Sequence, residues 1–558
     1  MTKYSFFLKY NISIIVDKNI YLSLSKMKKF KSTINNRSAS FKNNKKAMLK
    51  LVKKLNGFLK LSKSAGSPGA LIKAKQRGKS LSSEKLNLIL DKDSPFLELM
   101  SLAGMGHENG FGPGGTTSCI LGFVSNKLCL INSNIGTKKG GVVDYATSLK
   151  NLRIGQIAEE NKLTLINLVE SGGANLPDQD KVFTNYGKMF YDMSRRSKKG
   201  IMTISIVFGN ATAGGAYVPG MSDFNIMQKN QAKVFLAGPP LVKMATGEES
   251  SDEELGGAKM HSNLSGVSDF LANDEKEAIE MARSIVDNVI DDKIVDSGED
   301  ANPPIYDNDE ILGIIPENLK TPFDIRDLIV RFVDNSIFEE FKSNYGITMK
   351  CGWAKINNHK VGIIASNGVI FSESAKKATQ FILLANKNNM PILFIHNTTG
   401  FMVGKRHEQM GILNHGSQLV HAVAGSEVPH ITLLVGNSYG AGNYAMCGRS
   451  FNPRFLFAYP NVESGVMGAE QLAGVMELIK INAAKNKNEK LNKRQLNKEK
   501  KELIISAKEK SSIWHTTSEV LDDGVIDPRD TRKYLSLCFE VIYKEKITGS
   551  KSYGTFRI

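Results

Sequence analysis

Residues 204–217 read I-S-I-V-F-G-N-A-T-A-G-G-A-Y, and residues 431–444 read I-T-L-L-V-G-N-S-Y-G-A-G-N-Y. Each is an apolar, β-rich run that breaks into a turn of small residues, the signature of a buried strand that ends abruptly. The two stretches lie 227 positions apart, and a second pair keeps that displacement. Leu165–Val169 (L-I-N-L-V) leads into S-G-G-A at Ser171–Ala174, and Ile392–His396 (I-L-F-I-H) leads into T-T-G-F at Thr398–Phe401. A third pair, K-L-C-L-I-N-S-N at Lys127–Asn134 and K-V-G-I-I-A-S-N at Lys360–Asn367, ends both times in Ser-Asn. Self-similarity of this period decides architecture before any single element does.

Working outward, the strand-like runs alternate with helical stretches such as Asp144–Asn161 and Glu373–Asn389. That alternation predicts β-α units with mainly parallel strands, so each half is an α/β domain of one topology. The acidic, proline-containing segment Asp296–Glu310 has the composition of a linker. The expected division is a basic arm over 1–50, a first domain over 51–305 and a second over 306–558. Val475–Lys508, rich in lysine with i,i+4 Glu–Lys spacing, predicts a solvated helical excursion in the second half.

The formal net charge is +17 over 558 residues, which invites a nucleic-acid reading. Residues 1–80 hold 20 of the basic side chains and one acid, Asp17, so the rest of the chain is close to neutral. Charge gathered on a Lys/Asn/Ser-rich leader is not a basic groove on folded elements, and nucleic acid is not the expected partner. No run approaches the length of a membrane span. The leader reads as a flexible arm or a transit peptide, with Met27 as an alternative start, and the expected compartment is the bacterial cytoplasm or, in a eukaryote, the mitochondrial matrix. Five cysteines without a C-x-x-C pair point to a reducing compartment and exclude a zinc ribbon.

A glycine pair directly after a buried strand lets backbone N–H groups converge on one spot with no side chain in the way. Tight strand-to-helix packing also explains such a pair, but recurrence of two kinds of turn in both halves favours an oxyanion-binding role, where each donor aimed at a developing enolate is worth about 3 kcal/mol. Other chemistries are weaker. R-G-K-S at Arg77–Ser80 resembles the tail of a P-loop, yet position 73 is Lys where the pattern needs Gly. The nine histidines show no H-E-x-x-H spacing, and His261, His415 and His421 read as ordinary core or surface residues, so no metal site is expected. Ser171 lacks a nucleophile elbow. Glu170 is either a crotonase-type base or a strand-end carboxylate paired with a cation.

From about Ala74 onward the chain resembles the carboxyltransferase (β) subunits of biotin-dependent acyl-CoA carboxylases, most of all the methylcrotonoyl-CoA carboxylase branch. The segments that carry the resemblance are D-K-D-S-P-F-L-E-L (Asp91–Leu99), E-S-G-G-A-N-L-P (Glu170–Pro177), A-T-A-G-G-A-Y-V-P (Ala211–Pro219) and F-L-A-G-P-P-L-V-K-M-A-T-G-E-E (Phe235–Glu249). The second half adds N-G-V-I-F-S-E-S-A-K-K (Asn367–Lys377), N-T-T-G-F-M-V-G (Asn397–Gly404) and Y-G-A-G-N-Y-A-M-C-G-R (Tyr439–Arg449).

The resemblance implies two tandem crotonase-like (ClpP/crotonase) domains and transfer of CO2 from carboxybiotin to an acyl-CoA, with one oxyanion hole for each of two enolates. It implies amides of Gly172 and Gly173 at the thioester oxygen and of Ala441 and Gly442 at the biotin ureido oxygen. Gly400 and Phe401 would line the biotin pocket, and Gly214 and Gly215 would also face bound cofactor. The stretch Tyr345–Glu373, with Tyr345, Gly346, Asn367, Gly368 and Phe371, resembles the part assigned to acyl-CoA, and Lys138–Lys139 are either CoA phosphate contacts or a solvated turn. The chain has no A-M-K-M or V-M-K-M biotinylation motif and no ATP loop, so the implied partner is a separate biotin carboxylase/biotin carrier α subunit. A homo-oligomer, a hexameric core, is implied, with the first domain of one copy facing the second domain of another. L-P after S-G-G-A-N and Tyr444 favour 3-methylcrotonoyl-CoA and leucine breakdown. G-M-G-H-E-N-G-F-G-P-G-G at Gly104–Gly115 and S-G-V-M-G at Ser464–Gly468 depart from that branch and leave geranyl-, propionyl- and acetyl-CoA, and a reverse-running decarboxylase subunit, as alternatives.

Overall fold

The computed structural model describes residues 30–108, 110–289, 301–487, 489 and 491–556. The first half forms an eight-stranded sheet from β1 (Phe96–Leu99), β2 (Thr117–Val124), β3 (Lys127–Asn134), β4 (Thr164–Ser171), β5 (Thr203–Thr212), β6 (Phe224–Gln228), β7 (Lys233–Phe235) and β8 (Phe270–Ala272). The second half repeats it with β9 (Glu339–Phe341), β10 (Met349–Ile356), β11 (His359–Ser366), β12 (Ile392–Thr398), β13 (His430–Tyr439), β14 (Phe455–Ala458), β15 (Glu463–Gly465) and β16 (Gly524–Val525). In each sheet an antiparallel hairpin feeds a parallel series, the duplicated α/β arrangement that the repeats predict and the crotonase-like one that the resemblance implies. The parallel strands are buried along nearly their whole length, which is why they read as continuous apolar runs rather than alternating ones.

The duplication extends to register. Leu165 pairs with Thr203 as Ile392 pairs with His430, and a bulge after Val169 recurs after His396. The third sequence pair is corrected by one residue. Both hairpins turn on two residues of positive φ, Ser125–Asn126 and Asn357–Asn358, so Lys127 corresponds to His359 rather than Lys360. A one-residue slip reverses every side chain, and the hydrogen bonds confirm the structural register. Asn134 Oδ1 accepts the Glu170 N–H at 3.2 Å, and its counterpart Ser366 Oγ accepts the Asn397 N–H at 3.0 Å.

The halves share one apolar core that runs from Leu97 and Leu130 through Phe332 and Ile363 to Phe457 and Phe539. A buried ionic clasp crosses the same boundary: Arg153 Nε donates to Asp523 Oδ1 at 2.8 Å, and Arg449 Nη2 reaches that oxygen at 2.9 Å.

Residues 1–29 of the basic arm lie outside the described residues, but the boundary set at residue 50 falls inside a helix, Ala39–Ser62. Ser38 caps it, and Phe41, Met48, Val52 and Leu55 form one buried face. The Phe41 ring lies so close to Gly313 that a β-carbon there would meet it at 2.5 Å, so this helix packs on the second half rather than trailing as an arm. Of the linker, residues 301–310 are packed: the Tyr306 hydroxyl accepts the Ser32 N–H, and Glu310 pairs with the buried Arg331 at 2.6 Å. The Lys-rich excursion is a hairpin of helices Ala469–Asn486 and Lys493–Ser511, bridged by Lys480–Glu499 and Lys500–Glu477.

Candidate active site

All the glycine turns sit where parallel strands end. In the first half the turn after β4 meets the turn after β5. A β-carbon on Gly173 would come within 3.3 Å of Thr212 O, and one on Gly215 within 3.4 Å of Ser171 Oγ. In the second half a β-carbon on Gly442 would meet Gly400 Cα at 3.0 Å. Gly173 and Gly400 have φ of 91° and 111°, a region closed to residues with a β-carbon except under strain, which explains why the halves share glycine there.

The amides are not arranged as two consecutive donors of one turn. The Gly172 N–H is already given to Gly140 O at 2.9 Å, so the expected Gly172–Gly173 pair is corrected. The Gly173 N–H reaches only its neighbour Ser171 Oγ, at a long 3.3 Å, and Gly400 repeats this with Thr398 Oγ1 at 3.1 Å. The second contribution comes from across the sheet. Gly214 lies in the first turn of the short helix Ala213–Ala216, and Ala441 and Gly442 in the first turn of helix Gly440–Ala445, where N–H groups have no intrahelical acceptor. Each half therefore builds one donor cluster from two turns, Gly173 with Gly214–Gly215 and Gly400–Phe401 with Ala441–Gly442.

Asn367, Gly368 and Phe371 gather at the second cluster: the Gly368 N–H donates to Asn397 O, and the Ile370 N–H to Gly400 O. Gly346, at φ 56°, is pressed against the backbone of Glu373 and Ser374, with the exposed Tyr345 beside it. The stretch Tyr345–Glu373 thus belongs with the second-half cluster.

Glu170 is paired. Its carboxylate is wedged between Gly136 and Gly209, accepts from Lys79 Nζ at 2.6 Å and lies 3.7 Å from Lys85 Nζ. Lys85 in turn reaches Glu275 at 3.5 Å. Of the two readings, the strand-end carboxylate held by cations is the one the geometry supports. Lys79, which the decoy R-G-K-S contains, was not legible as its partner because 91 positions separate them. The same cations, with Lys73 and Arg77, line a cleft of about 180 Å³ that ends at Gly136 and Glu170.

Lys138 Nζ donates to Pro113 O, while Lys139 is exposed. His261 Nε2 donates to Val234 O at 2.7 Å, and its Nδ1 accepts from Ser265 Oγ at 2.6 Å, a satisfied core residue. His396 is buried between Ser438 Oγ and Met446 O, and burial pushes its imidazole down to about 4, so it stays neutral. All five cysteines are buried and none is in a disulfide, and among the described residues no His/Cys/Asp/Glu group could hold a metal. No helix there is long and apolar enough to cross a membrane.

Both crotonase-like halves thus end their parallel strands in glycine turns that cluster backbone N–H groups, and Glu170 of the first half is held by lysines. The carboxyl transferase domain family matches residues 73–554. The chain is 47% identical over 506 residues to the probable biotin-dependent acyl-coenzyme A carboxylase beta2 subunit of Mycobacterium tuberculosis, covering 90% of this chain and 95% of that one. It is 42% identical to the probable mitochondrial methylcrotonoyl-CoA carboxylase beta chain of Drosophila melanogaster, over 94% and 95% of the two chains. The crystal structure of the P. aeruginosa geranyl-CoA carboxylase beta subunit superposes with a TM-score of 0.86 at 37% identity, over 95% and 99% of the chains. The chain belongs to the carboxyl transferase family, as a carboxyltransferase of the biotin-dependent acyl-CoA carboxylase kind.

Proposed function

We propose that this chain is the β subunit that moves CO2 from biotin, carried by a separate α subunit, onto an acyl-CoA, with 3-methylcrotonoyl-CoA the first candidate and geranyl-, propionyl- or acetyl-CoA the alternatives. The observation that carries the reading is the doubled donor cluster: one chain offers two sites for an anionic oxygen, and the reaction needs two. Gly173 with Gly214–Gly215 binds the thioester oxygen and stabilises the charge that grows there as the substrate loses a proton. Gly400–Phe401 with Ala441–Gly442 binds the ureido oxygen; the Ala441 and Gly442 N–H groups, which have no intrahelical acceptor, fit a carbonyl acceptor. Bound carboxybiotin supplies the CO2 and the proton acceptor. The cleft with Lys73, Arg77 and Lys79 suits the CoA phosphates.

The two clusters lie on different halves, and the exposed residues around them match. Leu176, Phe183 and Tyr217 are exposed at 73%, 82% and 45%, and their repeat counterparts Val403, Met410 and Tyr444 at 73%, 58% and 46%. Equivalent apolar rims on both halves support docking of the first half of one copy on the second half of another, which closes a site from both clusters and excludes water. Residues Tyr345–Glu373 would then reach the partner's thioester. A hexameric core, leucine breakdown as the pathway and a cytoplasmic or mitochondrial-matrix location follow from the same reading. The test is a panel of acyl-CoAs assayed with the purified α partner, ATP and bicarbonate. Biotin-dependent carboxylation of a short acyl-CoA is expected, and a hydratase or isomerase activity without biotin would overturn it.

A further inference from the structure

Beneath the first-half donor cluster lies a cavity of about 40 Å³, room for two or three water-sized groups, whose lining includes Ser171, Gly215 and Arg196. Its polar lining is unusual for the space between a sheet and its helices. Asn132 and Asn167 stand on neighbouring strands, Asn151 on helix Tyr145–Asn161, and Arg196 on helix Gln179–Lys198. Asn167 is 5% exposed and Arg196 2%.

The hydrogen bonds orient this lining toward a missing acceptor. Thr117 Oγ1 donates to Asn132 Oδ1 at 2.6 Å, and Asn132 Nδ2 donates to Asn151 Oδ1 at 3.1 Å and to Asn167 Oδ1 at 3.5 Å. That order leaves the amide nitrogens of Asn151 and Asn167 as the remaining groups, and they can only donate. Arg196 adds a guanidinium whose buried Nε has no partner. The acids around it are engaged elsewhere: Glu159 with Lys199, Asp192 with Lys188, and Asp223 with Ser197 and the Thr203 N–H. Its guanidinium lies on Gly155 in the middle of helix Tyr145–Asn161, where a β-carbon would meet Nη1 at 2.7 Å. A helix interior, where glycine is the poorest residue short of proline, is thus kept open for this group.

The second half is an internal control. At the same places it carries Ile364, Ala378, Ile382, Phe394 and Val423 for Asn132, Asn151, Gly155, Asn167 and Arg196, all within one buried apolar cluster. The fold therefore fills this space with hydrocarbon when nothing has to bind, and burying unpaired donors instead is unfavourable.

Resting on the carboxyltransferase reading, we propose that this cavity receives the far end of the acyl group and that Arg196, Asn151 and Asn167 bind a carboxylate there, making the ligand a short carboxyacyl-CoA. Carboxylation at a carbon remote from the thioester creates such a group: a C–H bond is exchanged for a C–C bond to CO2, the N–CO2 bond of the donor breaks, and the proton ends on that nitrogen. The same chemistry arises if the substrate already bears a carboxylate, and turnover separates the two sources.

The test measures binding of glutaryl-CoA and pentanoyl-CoA, the same chain without the terminal charge, to the full-length protein. Glutaryl-CoA is expected to bind at least about 10-fold more tightly. Arg196→Met, Asn167→Leu and Gly155→Ala should each reduce that ratio toward one while leaving pentanoyl-CoA binding within a few-fold. Equal or weaker binding of glutaryl-CoA to the wild type overturns the proposal without need of any variant, as does a ratio that survives Arg196→Met. With the biotin-bearing partner present, competitive inhibition by glutaryl-CoA marks the carboxylate as the product's, and its further carboxylation marks it as the substrate's. Failure of every acyl-CoA to be carboxylated would sink the carboxyltransferase reading while the binding ratio still judged the pocket.

Discussion

At Glu170 the residue scale separates two chemistries that the sequence allows. A general base needs a carboxylate free to take a proton from substrate, and removing it costs typically 10²–10⁴-fold in rate. Here Lys79 and Lys85 hold the carboxylate, and Gly136 and Gly209 leave it no room to swing. Glu170→Gln is therefore expected to keep carboxylation within a few-fold and to lower thermal stability, because the Lys79 ammonium loses its counter-charge and Lys85 is left with Glu275 alone. A loss of more than 100-fold in kcat at unchanged stability would return the base to consideration. The glycines make the complementary point. Gly173 and Gly400 are needed for their φ, and Gly442 because Gly400 lies against it, which are constraints on backbone and not on side-chain chemistry.

Elements carry the duplication further than single residues do. The helix Gln179–Lys198 follows the first glycine turn and presents Phe183 to solvent on one face while burying Val182, Met193 and Arg196 on the other. Its second-half counterpart is split into Lys405–Gln409 and Ile412–Ala424 and presents Met410 at the break. An exposed phenylalanine at the rim of a donor cluster, matched by an exposed methionine at the other, fits the proposed contact between copies. Phe183→Asp should dissociate the assembly in sedimentation measurements and abolish carboxylation, while far-ultraviolet circular dichroism stays unchanged. Retention of both size and activity would remove the apolar rims from the argument.

For the whole molecule, the clasp between halves makes stability depend on pH. Burial raises the Asp523 carboxyl, but Arg153 and Arg449 outweigh it and hold it down to about 2. It is charged throughout the neutral range, and the stability it contributes is lost as pH falls from about 4 down through that value. Asp522, buried with Oδ2 unpartnered, behaves oppositely: burial pushes it up to about 7. The native state keeps a proton that an unfolded carboxyl, near 3.9, gives up, so stability falls as pH rises between about 4 and 7. The melting temperature of the wild type should drop by about 2 °C or more from pH 5 to 7.5, and Asp522→Asn should flatten that drop. A wild-type curve already flat over this window would show Asp522 charged in the native state.

Much of this was legible before any coordinate. Two α/β halves, the parallel strands and the glycine turns follow from the 227-residue displacement, because buried parallel strands must be apolar throughout and their turns must be small. What the sequence left open is whatever depends on contacts between distant elements. The β3 and β11 register slipped by one because the hairpin turn, not the Ser-Asn ending, aligns them. The basic arm became in part a packed helix because Phe41 finds Gly313 in the other half. Gly172 lost its donor role to Gly140 across a loop. Arg196 and its asparagines stayed hidden for the same reason, although Asn167 opposite Phe394 in the aligned halves was a visible clue. Local pattern records which residues must be apolar or small, whereas the partner of a polar group is set by chain closure over many residues, and only the tertiary structure supplies it.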